Sequence, residues 1–216
     1  MAAVLTSAFA EKPALGELLR HPGIWRSGSA TAPNLRTQPT GNAALDAALP
    51  GGGWPLGALT EILVENDGIG EMELVVPALA ALTQARQRVA LIAPPYIPYP
   101  PALTAAGIDL EYFVQIDAGT SDSHWSAEQC LRAGCCAAVL HWLSEVDYRQ
   151  LRRLQLAAES SNALALLFRP LQARAQASPA ALRLGISHSE TWSCVEILKC
   201  RGSFDALRSG RFRLRA

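Results

Sequence analysis

Apolar and polar residues follow two repeating patterns along the chain, and together these patterns predict an α/β protein. Short apolar runs are typical of buried parallel strands, and the amphipathic stretches between them have the spacing of helices. The predicted strands are Ala58–Val64, Arg88–Ala93, Tyr112–Ile116, Ala137–Leu143 and Ala163–Phe168. The predicted helices are Asn42–Leu49, Glu71–Arg86, Ser126–Ala133 and Val146–Ser160. This alternation favours a mostly parallel sheet with helices on both faces.

The first 40 residues combine an amphipathic stretch with a linker. Three leucines that follow Pro13 have the spacing of one helix face and predict a short helix: Leu15, Leu18 and Leu19. The residues from Gly23 to Thr40 are rich in Pro, Gly, Ser and Thr, a composition typical of a linker. The sequence leaves two alternatives for the packing of this helix: it packs on its own domain or on a neighbouring molecule.

The last third of the chain ends in a different pattern. Ala181–Ser187 and Cys194–Lys199 are strand-like runs separated by a polar turn, so they predict a pair of antiparallel strands that closes the sheet edge. An Arg-rich stretch follows. We therefore divide the chain into an N-terminal helix and linker at 1–40, a core domain at 41–202 and a C-terminal tail at 203–216.

Length and composition fit one folded domain with short extensions. Half of the 216 residues are hydrophobic and 18% are charged, which provides a core and excludes a wholly disordered chain. An uncharged apolar stretch of about 18 residues is missing, and the N-terminus does not resemble a signal peptide, so we expect a cytoplasmic protein without membrane contact. Five cysteines without the paired spacing of zinc sites fit a reducing compartment, and we expect no metal.

A formal net charge of zero hides a strong asymmetry along the chain. Residues 41–141 contain 3 basic and 11 acidic side chains, whereas residues 142–216 contain 12 basic and 6 acidic ones. Five of those basic side chains lie in Arg201–Ala216, beside one acidic residue. The tail is either a solvated terminus or a segment that binds a charged partner.

The loop after the first core strand is placed where α/β nucleotide-binding proteins bind phosphate. Such loops follow the pattern G-x-x-x-x-G-K-[ST], in which the lysine contacts phosphate and the hydroxyl holds Mg²⁺. Here Val64 stands near the first glycine, Gly70 at the second, Glu71 at the lysine position and Met72 at the hydroxyl position. A carboxylate repels phosphate and suits a helix N-terminus, so we interpret this site as a capped helix with a degenerate phosphate loop.

From about Gln38 to Gly202 the chain resembles the core of bacterial RecA. The residues that carry the resemblance are TGNAALDAAL, the glycine-rich GGGWPLGALTEI and RVALIAPP. The resemblance implies a RecA-like fold, but the catalytic positions differ. Residues 93–96 have no acid where RecA has its catalytic glutamate, and Ala137–Leu143 has none where RecA binds Mg²⁺. We therefore expect no enzymatic activity and no cofactor, with His141 as a hydrogen-bonded core residue.

A RecA-like core without a nucleotide site, preceded by a helix and followed by an Arg-rich tail, resembles the ImuA family. The most similar stretches are ILVENDGIGEMEL, SNALALLFRP and VEILKCRGS. The resemblance implies an accessory protein of SOS-induced translesion synthesis and mutagenesis. Its implied partners are RecA and an inactive Y-family polymerase homologue, which connects to the clamp and an error-prone polymerase. SulA-type division inhibitors, which act on FtsZ, are related to this family and form the alternative.

Two sets of residues are candidates for partner contacts. In RecA filaments the N-terminal helix packs on the adjacent protomer, so the resemblance points to Leu15, Leu18, Leu19 and Trp25. In the tail, charged and apolar side chains alternate, as in a strand or in a segment that orders on a partner: Arg208, Arg211, Phe212, Arg213 and Arg215. Weak DNA contact stays possible through Arg169 and Arg174, which follow the strand that ends at Phe168.

Overall fold

An eight-stranded sheet forms the centre of the computed structural model, which describes residues 36–189, 192–202 and 211–213. Its strands are β3 (Ala58–Val64), β4 (Val89–Ile92), β5 (Phe113–Ile116), β6 (Ala138–Trp142), β7 (Leu164–Pro170), β8 (Leu182–Ser189), β9 (Trp192–Cys200) and β10 (Arg211–Arg213). β1 (Thr37–Gln38) and β2 (Trp54–Pro55) pair in a separate two-stranded sheet. The described helices are α1 (Ala43–Ala48), α2 (Glu71–Gln84), α3 (Pro100–Ala105), α4 (Thr120–Ala133) and α5 (Tyr148–Ser161). Leu110–Tyr112 and Leu171–Ala175 form 3₁₀ turns.

The strand order is β10-β9-β8-β3-β7-β6-β4-β5. The six strands from β8 to β5 pair in parallel, while β9 and β10 add antiparallel neighbours at one edge. The predicted fold class is therefore confirmed, and the arrangement is consistent with a RecA-like core. Because the strands that surround β3 run in the same direction, their carboxyl ends meet at one edge together with the loop that precedes α2.

Two apolar layers hold helices against the opposite faces of the sheet. Side chains of α2 and α3 pack with alternate residues of the central strands, as Leu79 does with Leu140 and Phe168 in one cluster. Helices α4 and α5 cover the other face, where Leu131 and Leu154 share a second cluster. Burial of both faces explains why the central strands are continuous apolar runs.

Two helices differ from the sequence prediction. α4 begins at Thr120, whereas the sequence predicted a start at Ser126. The first turns were missed because they bury polar side chains, including Ser123, and so show no apolar periodicity. The other helix, α3, begins at Pro100 in the proline-rich stretch after β4 and is not among the predicted helices. Proline fits the first turn of a helix, where its missing N–H has no partner to lose.

The glycine-rich segment before β3 permits a close backbone approach. A Cβ on Gly53 would lie 2.3 Å from the carbonyl oxygen of Gln38, which belongs to the neighbouring strand β1. We expect Gly53→Ala to lower the free energy of unfolding by about 1–3 kcal/mol, since backbone must move to admit the methyl group. Urea unfolding measures this loss, with the exposed Gly119→Ala as control, because no atom lies within 4 Å of that position. Equal stability of both variants would contradict the prediction.

The described helices include none that is both long and apolar enough to cross a membrane.

Candidate functional site

The candidate phosphate loop occupies residues 65–70, between the carboxyl end of β3 and the start of α2. Two of its glycines have left-handed backbone, Gly68 with φ 81° and Gly70 with φ 103°. Only glycine adopts these angles at little cost, so both residues shape the turn. The strand, loop and helix of a phosphate-binding protein are therefore present at the expected place.

Glu71 folds back into this loop and bonds to its backbone. Its Oε1 accepts a hydrogen bond from the N–H of Gly68 at 2.8 Å, and its Oε2 accepts one from the N–H of Ile69 at 2.9 Å. The residue is only 5% exposed. In a phosphate loop, backbone N–H groups of this kind bind the anion. Here the Glu71 carboxylate takes the place of the anion as acceptor, so an incoming phosphate would meet both a filled site and a negative charge.

This geometry corrects one detail of the sequence interpretation. We expected the acidic residues to cap α2, but the Glu71 carboxylate bonds to the loop that precedes the helix. The N-cap residue itself is Gly70, which has no side chain to offer. Glu71 therefore stabilises the loop rather than the first helical turn.

The other two residues of the degenerate loop contribute apolar contacts. Val64 ends β3 as a buried member of the core, and Met72 is partly buried against the same cluster. Neither side chain has an oxygen that would hold Mg²⁺ beside a nucleotide. One segment thus contains all four residues of the degenerate loop, Val64, Gly70, Glu71 and Met72. Its polar side chain, Glu71, already accepts hydrogen bonds from the loop backbone.

The loop is held from outside by the β8–β9 hairpin. The hydroxyl of Ser193 donates to the carbonyl of Ile69, and the N–H of Glu65 donates to the carbonyl of Ile186 at 3.2 Å. The Glu65 carboxylate also accepts from the N–H of His188 at 3.4 Å. These bonds tie the loop to the antiparallel edge of the sheet and fix its conformation.

A cavity of about 440 Å³ lies beside the loop, at the carboxyl ends of the central strands. One wall is a stacked aromatic pair, Trp142 and Phe168, whose ring centroids are 4.5 Å apart. Glu65 and Asp67 also line the cavity, as do Ala93 and Pro95, which follow the end of β4. The ends of β4, β6 and β7 therefore present aromatic and small apolar side chains to the cavity.

His141 lies on β6 and is buried, as predicted, but its ring forms no hydrogen bond with the part of the chain that the structure describes. None of the four ring nitrogens of His141 and His124 has a hydrogen-bond partner among the described residues, and the two ring centroids are 6.3 Å apart. Burial lowers the pKa of His141 to about 4, and the nearby His124 adds to the effect. Burial, and then the charge of Arg153, also lowers the pKa of His124. Both rings are therefore neutral at physiological pH.

Arg169 has a structural role and is unavailable for DNA contact, contrary to the sequence prediction. It is 1% exposed, and its Nη1 lies 3.2 Å from Oε1 of the fully buried Glu61. The second oxygen of Glu61 lies 2.5 Å from Nε of Arg183. We call these three residues the buried ion cluster. Arg169 is thus paired inside the protein, in a cluster of two guanidinium groups and one carboxylate.

The same cluster pins the segment that follows β7. Arg183 donates to the carbonyl oxygens of Ala173 at 2.8 Å and of Gln176 at 3.2 Å, and Arg169 donates to the side chain of Gln176 at 2.6 Å. Arg174, the other expected DNA contact, is exposed and pairs with Glu196 at 3.2 Å. The segment is therefore fixed to the sheet at several points.

The predicted partner-binding residues fall into two groups. Leu15, Leu18, Leu19, Trp25, Arg208 and Arg215 lie outside the described residues. Arg211, Phe212 and Arg213 form β10, which pairs with Cys194–Glu196 of β9. The two arginines are exposed, and Phe212 packs against the core. Part of the predicted tail is thus an edge strand of the core sheet.

Within the described ranges, no three His, Cys, Asp or Glu side chains are grouped so as to hold a metal ion.

Comparisons with known proteins find matches among solved structures. No protein-family model matches the chain, and no curated protein matches it. Among solved structures, the chain is similar to SulA from Pseudomonas aeruginosa, with 24% sequence identity and a TM-score of 0.44. The match covers 51% of this chain and 97% of that one. A similarity of this extent does not assign the chain to a family.

Proposed function

We propose that this chain is a non-catalytic, RecA-like accessory protein of SOS-induced translesion synthesis. In this role it binds RecA and an inactive Y-family polymerase homologue, and through that homologue it connects to the clamp and an error-prone polymerase. The main supporting observation is the Glu71 carboxylate, which accepts hydrogen bonds from Gly68 and Ile69 where a phosphate would bind. A fold that retains its frame while its anion site is filled internally fits a binding protein better than an ATPase.

The electrostatic requirements of phosphoryl transfer support the non-catalytic part of the proposal. The reaction needs positive charge at the phosphate and acidic groups that hold Mg²⁺ and the attacking water. In this chain the lysine position is the acidic Glu71, and β6 ends in His141 and Trp142. The pKa of His141 is lowered to about 4, so it does not supply a positive charge either.

The choice of partners rests on the resemblance to the ImuA family. Two of the three stretches that carry it, ILVENDGIGEMEL and SNALALLFRP, lie in the described core. They correspond to β3 with the candidate loop and to β7 with the strand end at Pro170. Both therefore meet at the carboxyl edge of the sheet, and this edge is the surface that the proposal assigns to protein partners.

Nucleotide titration tests the filled phosphate loop. We expect calorimetry to show no binding of Mg-ATP to the full-length protein up to about 1 mM, because Glu71 occupies the loop amides. Glu71→Ala frees these amides and removes the charge, so weak binding of ATP without dependence on Mg²⁺ is expected. Glu73→Ala, which changes an exposed neighbour on the same helix, serves as the control. Micromolar Mg²⁺-dependent binding by the wild-type chain would contradict the proposal.

Co-purification tests the partners. Full-length protein is expected to retain both RecA and the inactive polymerase homologue in separate two-component experiments. A sedimentation assay of FtsZ polymers examines the alternative, and inhibition at stoichiometric protein would replace the accessory role with that of a division inhibitor. Failure to retain either partner would equally overturn the proposed function.

A further inference from the structure

The segment after β4 exposes large apolar side chains to solvent. Tyr96, Ile97 and Tyr99 are 68%, 85% and 69% exposed, and they lie within four residues of one another. Each stands in a proline-rich stretch, which limits the backbone entropy that binding would remove. Single exposed apolar residues are common on protein surfaces, but a contiguous group marks an interaction site.

These residues border an apolar groove of about 340 Å³ between α2 and α3. Met72 and Val76 of α2 form one side, and Leu103 and Ala106 at the end of α3 form the other. The indole of Trp142 lines one end of the groove and also lines the cavity beside the candidate loop. Groove and cavity are thus neighbours that share a wall.

The exposed charged side chains that line this surface are acidic. Glu73 lines the groove, and Glu65 and Asp67 line the adjacent cavity, and all three are exposed. Among the described lining residues the basic one is Arg169, whose charge is paired inside the buried ion cluster. An acidic rim repels nucleic acid and attracts lysine and arginine side chains.

We propose that the groove binds a segment of a protein partner whose apolar anchor residues are flanked by lysine or arginine. The apolar walls bury the anchors beside Tyr96, Ile97 and Tyr99, while the basic side chains reach Glu73 and the carboxylates of Glu65 and Asp67. The proposal rests on the accessory function and adds the chemistry of the segment that is recognised. It assigns recognition to the edge of the sheet where other α/β proteins place their ligands.

Selection of peptides from a random displayed library on immobilised full-length protein tests this inference. We expect enriched peptides to combine large apolar residues with lysine or arginine. Fluorescence anisotropy then measures the dissociation constant of the best peptide. Ile97→Asp is expected to raise this dissociation constant at least tenfold, because the isoleucine side chain lines the site. Since that side chain is exposed, the substitution leaves folding intact. The matched control is Leu156→Asp, an exposed leucine on α5.

A second set of substitutions tests the acidic side chains around the groove. The double variant Glu73→Gln, Asp67→Asn is expected to bind the same peptide several-fold more weakly. The salt dependence of that binding is also expected to be smaller. Enrichment of acidic or uncharged peptides would overturn the proposal. So would equal binding by the Ile97→Asp and Leu156→Asp variants. Self-association of the wild-type chain that Ile97→Asp abolishes in analytical ultracentrifugation would assign the groove to a second copy instead.

The outcome is separable from that of the proposed function. If wild-type protein retains RecA and the polymerase homologue while Ile97→Asp retains both equally well, the groove inference is wrong and the accessory role stands. If wild-type protein retains neither partner but selects basic, apolar peptides in an Ile97-dependent manner, the groove is a binding site and the proposed function is wrong.

Discussion

Glu61→Gln is expected to lower the free energy of unfolding by about 3–5 kcal/mol, because it leaves two buried guanidinium groups without a counter-charge. Glu61 is fully buried and contacts Arg169 at 3.2 Å and Arg183 at 2.5 Å. Glutamine keeps the shape of the side chain and one acceptor oxygen, so the loss reports charge rather than volume. The segment from Leu171 to Gln176 is also expected to lose order, since both arginines bond to it.

Urea unfolding of the wild-type protein and of Glu61→Gln measures the effect as a shift of the transition midpoint. Glu196→Gln removes the carboxylate of the exposed pair with Arg174 and is the matched control, for which a loss below about 1 kcal/mol is expected. Hydrogen exchange of the backbone amides at 171–176 reports the local loosening. Equal midpoints for the two variants would show that Glu61 does not neutralise the buried arginines.

Acidification from pH 7 to pH 5 is expected to remove about 2 kcal/mol of stability through His141 alone. Its pKa is about 4 in the folded protein and 6.5 for a histidine in the unfolded chain, so the unfolded chain binds the proton first. The stability is fully present above pH 6.5, declines as the pH falls and is lost below pH 4. Protonation inside the fold would place a charge beside His124, whose ring also lacks hydrogen-bond partners in the described residues.

The measurement is urea unfolding at several pH values in wild type and in His141→Leu. We expect the difference in stability between the two proteins to change by about 2 kcal/mol over this range, because carboxylates titrate alike in both. If the free energy of unfolding of His141→Leu changed with pH in parallel with that of the wild type, His141 would not be the source of the pH dependence.

The sequence predicted the alternating part of the fold because local patterns determine it. β3 was predicted with its observed bounds, Ala58–Val64, since a buried parallel strand is an apolar run that ends at polar residues. α3 was missed because its first residue is Pro100, and proline is more often a helix breaker than a helix start. The alternation of charged and apolar side chains around Phe212 fits a strand, but the pairing of β10 with β9 is not visible in that local pattern.

The candidate site was predicted in position but only partly in chemistry. That Glu71 replaces a lysine is visible in the sequence, whereas its bonds to Gly68 and Ile69 depend on how the loop turns back. Arg169 was misinterpreted because its partner Glu61 lies 108 residues away along the chain. Long-range pairing decides whether an arginine is a surface charge or a core residue, and a single sequence does not contain that information.

The short strand β10 has a consequence for the behaviour of the protein at high concentration. An edge strand presents unpaired backbone groups and invites another chain to add to the sheet, which is a common start of aggregation. Arg211 and Arg213 are exposed on this strand and flank Phe212, which packs inward. Three residues with two like charges form a poor template for a second chain, so the arginine tail protects this edge of the described sheet from uncontrolled growth.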